Sequence, residues 1–163
     1  IDHLKNVLNF IASYGNSTPS YMFDALVLAA FFHDAIYDPK KSDNEDKSAA
    51  FFMFSYEPAE DVDKNIKELV RYMTFDMIMQ TKKREMPKGK IYQLFYMADN
   101  EIFFKDIEEL KVWEDKIFKE MQPINKSFYK NKRVNWLKKN KRVFGKEADK
   151  NINALIKHIK NKY

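Results

Sequence analysis

Ala25-Leu26-Val27-Leu28-Ala29-Ala30-Phe31-Phe32-His33-Asp34 is the stretch on which the fold turns. Eight apolar residues lead into an imidazole and a carboxylate. Thr18 before Pro19 makes a good N-cap and first-turn pair upstream, so the stretch is read as a helix running to about Ile36, with Asp38-Pro39 breaking it. Burying His33 and Asp34 without partners costs several kcal/mol, roughly, for each. A bound cation is one partner that satisfies both. The chain has only three histidines, His3, His33 and His158, and the first two fall where a metal site can use them.

Outward from this stretch, almost every segment repeats with helical period. Leu4, Val7, Leu8 and Ile11 form one stripe, which stops near Gly15-Asn16. Asp43 with Asp46 marks a helix start, Ala49 to Phe54 follow as a buried helix, and Glu57-Pro58 ends it. Val62, Ile66, Leu69, Val70 and Met73 form a fourth stripe. Residues 74–90, with Pro87 and Gly89, read as a loop holding at most a helical turn. Ile91, Leu94, Phe95, Ala98 and Ile102 make a fifth stripe, and Ile107, Leu110, Trp113, Ile117 and Met121 a sixth, closed by Pro123. Phe128 to Leu137 and Ala148 to Ile159 are two further helices around Gly145. No sustained alternation marks a strand. The expected fold is all-α, a single bundle of about seven or eight helices spanning 1–163.

The bulk composition agrees. A chain of 163 residues suits one domain. Hydrophobic residues at 45% argue against disorder, and only 3 Gly and 5 Pro leave room for long helices. With no cysteine, disulfide scaffolds and thiolate metal sites are excluded. No stretch reaches the roughly 18 apolar residues of a membrane span, so no membrane partner is expected. No signal peptide is read, the first residue is Ile rather than Met, and a cytoplasmic location is expected. The charge is uneven: residues 1–110 carry −6 and residues 111–163 carry +11. The basic end reads first as a lysine-rich solvated surface, because its cations are spread through helices. A nucleic-acid partner, with Phe128, Tyr129 and Trp136 as stacking residues, is the weaker alternative.

His3 lies beside the Val7–Ile11 stripe, His33 and Asp34 near the end of the second helix, and Asp99 beside the stripe of the fifth. Three helices thus each offer a ligand-type side chain on an inward edge. Two imidazoles and two carboxylates suit a divalent cation with positions left for water and substrate. Such an ion acidifies a bound water and polarises a phosphoryl oxygen, which is the equipment for hydrolysing a phosphate ester.

The order His3, His33-Asp34, Asp99 resembles the HD-domain superfamily of metal-dependent phosphohydrolases. The stretch Ala29 to Pro39, followed by Ser42-Asp43-Asn44-Glu45-Asp46-Lys47-Ser48-Ala49, is similar to a small microbial branch of it. That branch carries Asp-Ala-Asp-Leu at the last motif, where this chain reads Met97-Ala98-Asp99-Asn100, without the first acid. The resemblance implies an HD-like helical domain with His3, His33, Asp34 and Asp99 as metal ligands. It also implies hydrolysis of a phosphate ester on a small, nucleotide-like molecule. Binuclear members add histidines between the His-Asp pair and the final Asp. None lies between His33 and Asp99 here, which favours one divalent ion, with Mn, Mg, Fe, Co, Ni and Zn not distinguished.

Other residues have expected roles as well. Glu45 is the candidate for general acid or water orientation, beside Asp34 as a catalytic ligand. Its structural role would be a favourable charge in a first helical turn. Lys47, Tyr37 and Arg71 are candidates for substrate contact, Asp38 reads first as a turn former before Pro39 and second as a residue orienting a ligand histidine, and His158 reads as surface. The competing function is nucleotide or cyclic-nucleotide binding without turnover, on a retained HD scaffold.

Overall fold

The computed structural model describes residues 2–83 and 85–163. Among them are eight α-helices and no strand. Among the described residues no helix is long and apolar enough to cross a membrane. The chain packs as two compact units, residues 2–83 with 87–99 and residues 85–86 with 100–163.

The first unit holds α1 (Asp2–Ala12), α2 (Ser20–Phe32), α3 (Asn44–Ser55), α4 (Lys64–Thr81) and α5 (Lys90–Asp99). The apolar block forms α2, which packs against each of the other four. A helix apolar on most of its circumference has to be surrounded. Its innermost residues are small, Ala25, Ala29 and Ala30 with Leu26, and all are buried. They meet Val7 and Ile11 of α1, Phe52 of α3, Val70, Met73, Met77 and Ile78 of α4, and Phe95 and Ala98 of α5 in one core.

The expected helix limits need three corrections. Thr18 does not cap α2; its hydroxyl donates to the Tyr14 carbonyl, and Pro19 holds the N-cap position. α2 ends at Phe32 rather than near Ile36, because the next amides find side-chain acceptors. Ile36 N–H donates to Ser48 Oγ (3.0 Å) and Asp38 N–H to Asn44 Oδ1 (3.0 Å), while Asn44 Nδ2 donates back to the Asp38 carbonyl (2.9 Å). Side-chain bonds of this kind compete directly with the helical ladder. Residues 74–81 are helix rather than loop: α4 runs to Thr81, with Thr74, Met77 and Ile78 buried against the core. Arg84, in the remainder of that expected loop, lies outside the described residues.

The fourth stripe also divides. Val70 and Met73 are core, but Val62, Ile66 and Leu69 are exposed. α4 carries two apolar rows, and only the inner one, facing α2, is covered.

The second unit holds a 3-10 turn at Glu101–Phe104, then α6 (Ile107–Glu120), α7 (Lys126–Asn140) and α8 (Lys146–Lys162). Phe103, Leu110, Val134, Leu137, Ala148, Ile152, Leu155 and Ile159 form its core. Asp106 and Asn125 cap α6 and α7 by accepting backbone N–H bonds. Gly145 starts α8 at φ +92°, a conformation that suits glycine. Glu114 is fully buried and accepts from Tyr129 Oη and from Arg133 Nε (2.9 Å). The Arg133 guanidinium lies over the rings of Trp113 and Trp136, 4.9 and 4.3 Å from their centroids.

Candidate metal centre

Three helix ends bring four side chains together. His3 projects from the first turn of α1, His33 and Asp34 follow the last turn of α2, and Asp99 is the last residue of α5. α1, α2 and α5 pack mutually in the first unit, so the three ends share one side of α2. His3 Nε2, His33 Nε2 and Asp99 Oδ1 form a triangle with each edge 3.2 Å. Asp34 Oδ2 stands 3.6 Å from His33 Nε2. Ligand atoms of His3, His33 and Asp34 all fall within 4.8 Å of one another.

His33 is the best fixed of the four. Its backbone N–H closes the last turn of α2 on the Ala29 carbonyl (2.9 Å), and its Nδ1–H donates to the Ala30 carbonyl (2.9 Å). A carbonyl can only accept, so the proton stays on Nδ1 and Nε2 is turned toward His3 and Asp99. The ring is buried edge-on against Phe95.

Two charges are perturbed. Burial alone would push the His33 pKa down. The hydrogen bond and charge of Asp99, with Asp34 and the Ala30 carbonyl, outweigh burial and raise it to about 9. Burial would push Asp99 up, but hydrogen bonds from His3 and His33, and their charge, hold its carboxyl well below the usual range. Without a cation the cluster is therefore an imidazolium beside a carboxylate.

The donor set fits a divalent cation. Neighbouring donors at about 2.0–2.2 Å from a first-row ion stand about 3 Å apart, which is the spacing of the triangle. Two neutral nitrogens with two carboxylates suit borderline divalent metals. The side chains of Asp34 (52% exposed) and His3 (38%) form the open edge, whereas Asp99 (17%) and His33 (4%) form the floor.

An ion takes only the neutral imidazole, so loading the site expels the His33 proton. Below a pKa of about 9 the proton competes with the metal. Affinity is expected to rise about tenfold per pH unit from pH 6.5 toward 9 and to level above that. Calorimetric titration with Mn²⁺ in two buffers of different ionisation enthalpy counts the proton. An affinity flat across this range contradicts the arrangement.

Among the described residues, Glu45, Lys47, Asp38 and Arg71 make no hydrogen bond or ion pair with these four. Among the described residues the Glu45 side chain makes no hydrogen bond or ion pair; it sits half-buried in the first turn of α3. Lys47 is paired with Asp43 (2.8 Å). Arg71 Nη2 donates to the Met53 carbonyl (3.1 Å), and Nη1 lies 3.9 Å from Glu68, so it ties α4 to the end of α3. The Tyr37 ring is exposed. Asp38 accepts from the Lys40 N–H (2.9 Å) and forms the turn read from its place before Pro39. His158 is half-buried rather than surface, with Nε2 buried and unbonded. Asn44 and Ser48 have a bracing role that sequence reasoning missed, because their partners are backbone groups of the loop after Asp34.

Comparisons with protein-family models, with curated proteins and with solved structures find no match to this chain.

Proposed function

We propose that His3, His33, Asp34 and Asp99 hold one divalent cation, and that the chain is a metal-dependent phosphohydrolase acting on a phosphate ester of a nucleotide-like molecule. The observation that carries this reading is the 3.2 Å triangle of donors from three separate helices, with Asp34 beside it. The resemblance to the HD superfamily supports the same four residues. When bound, such an ion supplies Lewis acidity toward a water and a phosphoryl oxygen.

The side chains divide the remaining work. His33, locked by the Ala30 carbonyl, and Asp99, held ionised, form a preset floor. His3 and Asp34 line the solvent edge, the side from which a phosphate ester enters. Asp38, Asp43 and Asp46 each have a lysine partner, in Lys41, Lys47 and Lys82. That leaves Glu45 as the unengaged acid of this segment and the proposed proton donor to the leaving oxygen.

Metal analysis of purified protein, followed by a phosphate-release screen over nucleotides with added Mn²⁺, tests the proposal. Stoichiometric metal with release of phosphate, abolished by a chelator and restored by the ion, is expected. Protein that takes up no divalent ion rejects it.

A second reading, binding without turnover, is favoured by Met97, which stands where the similar branch carries the first acid of its last motif. In the same screen it predicts nucleotide retention with no phosphate released.

A further inference from the structure

Residues 126–163, comprising α7, the turn and α8, contain 13 Lys and Arg against 2 Asp and Glu. The turn and α8 sort these cations sharply. Ala148, Ile152, Leu155, Ile156 and Ile159 are buried. Lys146, Lys150, Asn153, Lys157 and Lys160 are all exposed. Their spacing of four, three, four and three residues sets them in one straight row along the helix. At 1.5 Å per residue the row is about 21 Å long.

A solvated helix face ordinarily mixes signs, and Glu-to-Lys pairs four apart support the helix. This row does the opposite. Among the described residues none of its four lysines is in an ion pair, although α6 and the end of α8 pair their own lysines with acids, as in Lys111–Glu108 and Lys162–Asp115. Glu147 is the exposed acid nearest the row, and Asp149 is occupied by the Arg142 N–H. Like charges four and three apart repel, so the row is tolerated within the helix rather than supported by it. A repeating anion relieves that repulsion along the whole length.

We propose that the exposed face of α8 binds the phosphodiester backbone of a nucleic acid. Asn153, in mid-row, adds a neutral donor and acceptor for a phosphate or sugar oxygen. The preceding helix continues the basic character: residues 126–146 hold nine Lys and Arg and no acid. On α7, Phe128 is exposed with the Lys132 ammonium 5.5 Å from its ring centroid, an arrangement suited to stacking on a base. Of the aromatics expected to stack, Tyr129 is instead buried on Glu114, and Trp136 lies under Arg133. An anionic membrane is a poorer partner, because an interfacial helix needs a free apolar face, and the apolar face of α8 is sealed in the core.

The test uses the full chain and fluorescence anisotropy of a labelled 20-nucleotide strand and its duplex. Binding at low salt is expected. Its logarithm should fall with the logarithm of salt concentration with a slope of about −3 to −4 for the duplex, as for four neutralised phosphates. Lys150→Glu with Lys157→Glu should weaken binding at least about tenfold and lower the slope by about 2. The control Lys5→Glu with Lys64→Glu, in the first unit, should leave it unchanged, and circular dichroism melts verify folding of both. Asp34→Ala should bind normally, which separates this proposal from the fate of the metal site. No binding at 50 mM salt, binding indifferent to salt, or equal weakening by the control overturns it. So does capture by vesicles of anionic lipid in preference to the oligonucleotides.

Discussion

Asp34→Ala is expected to strip the cation and reduce hydrolysis to background while leaving the apo protein folded. The carboxylate is half exposed and stands 3.6 Å from His33 Nε2, so its removal opens no cavity. Exposed substitutions of this kind shift stability by about 0.5 kcal/mol or less. Metal affinity is another matter. Loss of groups that merely orient a ligand costs about 10–100-fold, and loss of a ligand itself should exceed the upper end of that range. Metal content, phosphate release and thermal melting on one preparation decide the matter. A variant that holds stoichiometric metal and turns over at the parent rate removes Asp34 from the site. Asp99→Ala is a less clean test, since it also strips buried His33 of its counter-charge.

Glu114→Ala is expected to be the most destabilising single change in the second unit, by about 3–5 kcal/mol, the usual cost of removing one partner from a buried ion pair. Glu114 is fully buried and satisfies Arg133 and Tyr129 together. Without it a guanidinium wedged between two indoles and a buried hydroxyl both lose their acceptor. Glu114→Gln keeps an acceptor and should cost less. Trp113 and Trp136 are the only tryptophans of the chain and both touch Arg133, so urea unfolding followed by tryptophan emission reads this cluster directly. The pH dependence has a definite sign. Burial, then Glu114, raises the Tyr129 pKa well above 10. Its contribution is therefore complete below pH 10 and is lost as the unfolded state ionises above that. A Glu114→Ala midpoint indistinguishable from the parent contradicts the arrangement.

The cluster of His3, His33, Asp34 and Asp99 was legible because its residue types are rare in the sequence. Two of only three histidines, and acids set within apolar runs, demand explanation from residue type alone; helical position placed His33 and Asp99 inward, whereas His3 and Asp34 stay partly exposed. The all-helical fold followed from period in the same way. What was hidden depended on distant partners. Nothing near Asn44 or Ser48 signals that they hold the backbone of residues 36–38, and their capture of those amides shortened α2 by about one turn. Glu114 falls on an apolar face of α6, but its partner is 19 residues away. The methionines that extend α4 have no cap to announce them, and an outer row of Ile66 and Leu69 drew the stripe to the wrong face. Glu45, Lys47 and Arg71 took their expected roles from motif and charge, and two of the three are committed to structural contacts.

Three of the four buried positions of α2 are alanine. Ala25, Ala29 and Ala30 share one buried core with Val7 and Ile11 of α1 and Phe95 and Ala98 of α5, where each adds no more than a methyl group. Exchanging one of them for valine would push packed helices apart, and because His3 and Asp99 ride on two of those helices, the distance between them would shift with no change at either residue.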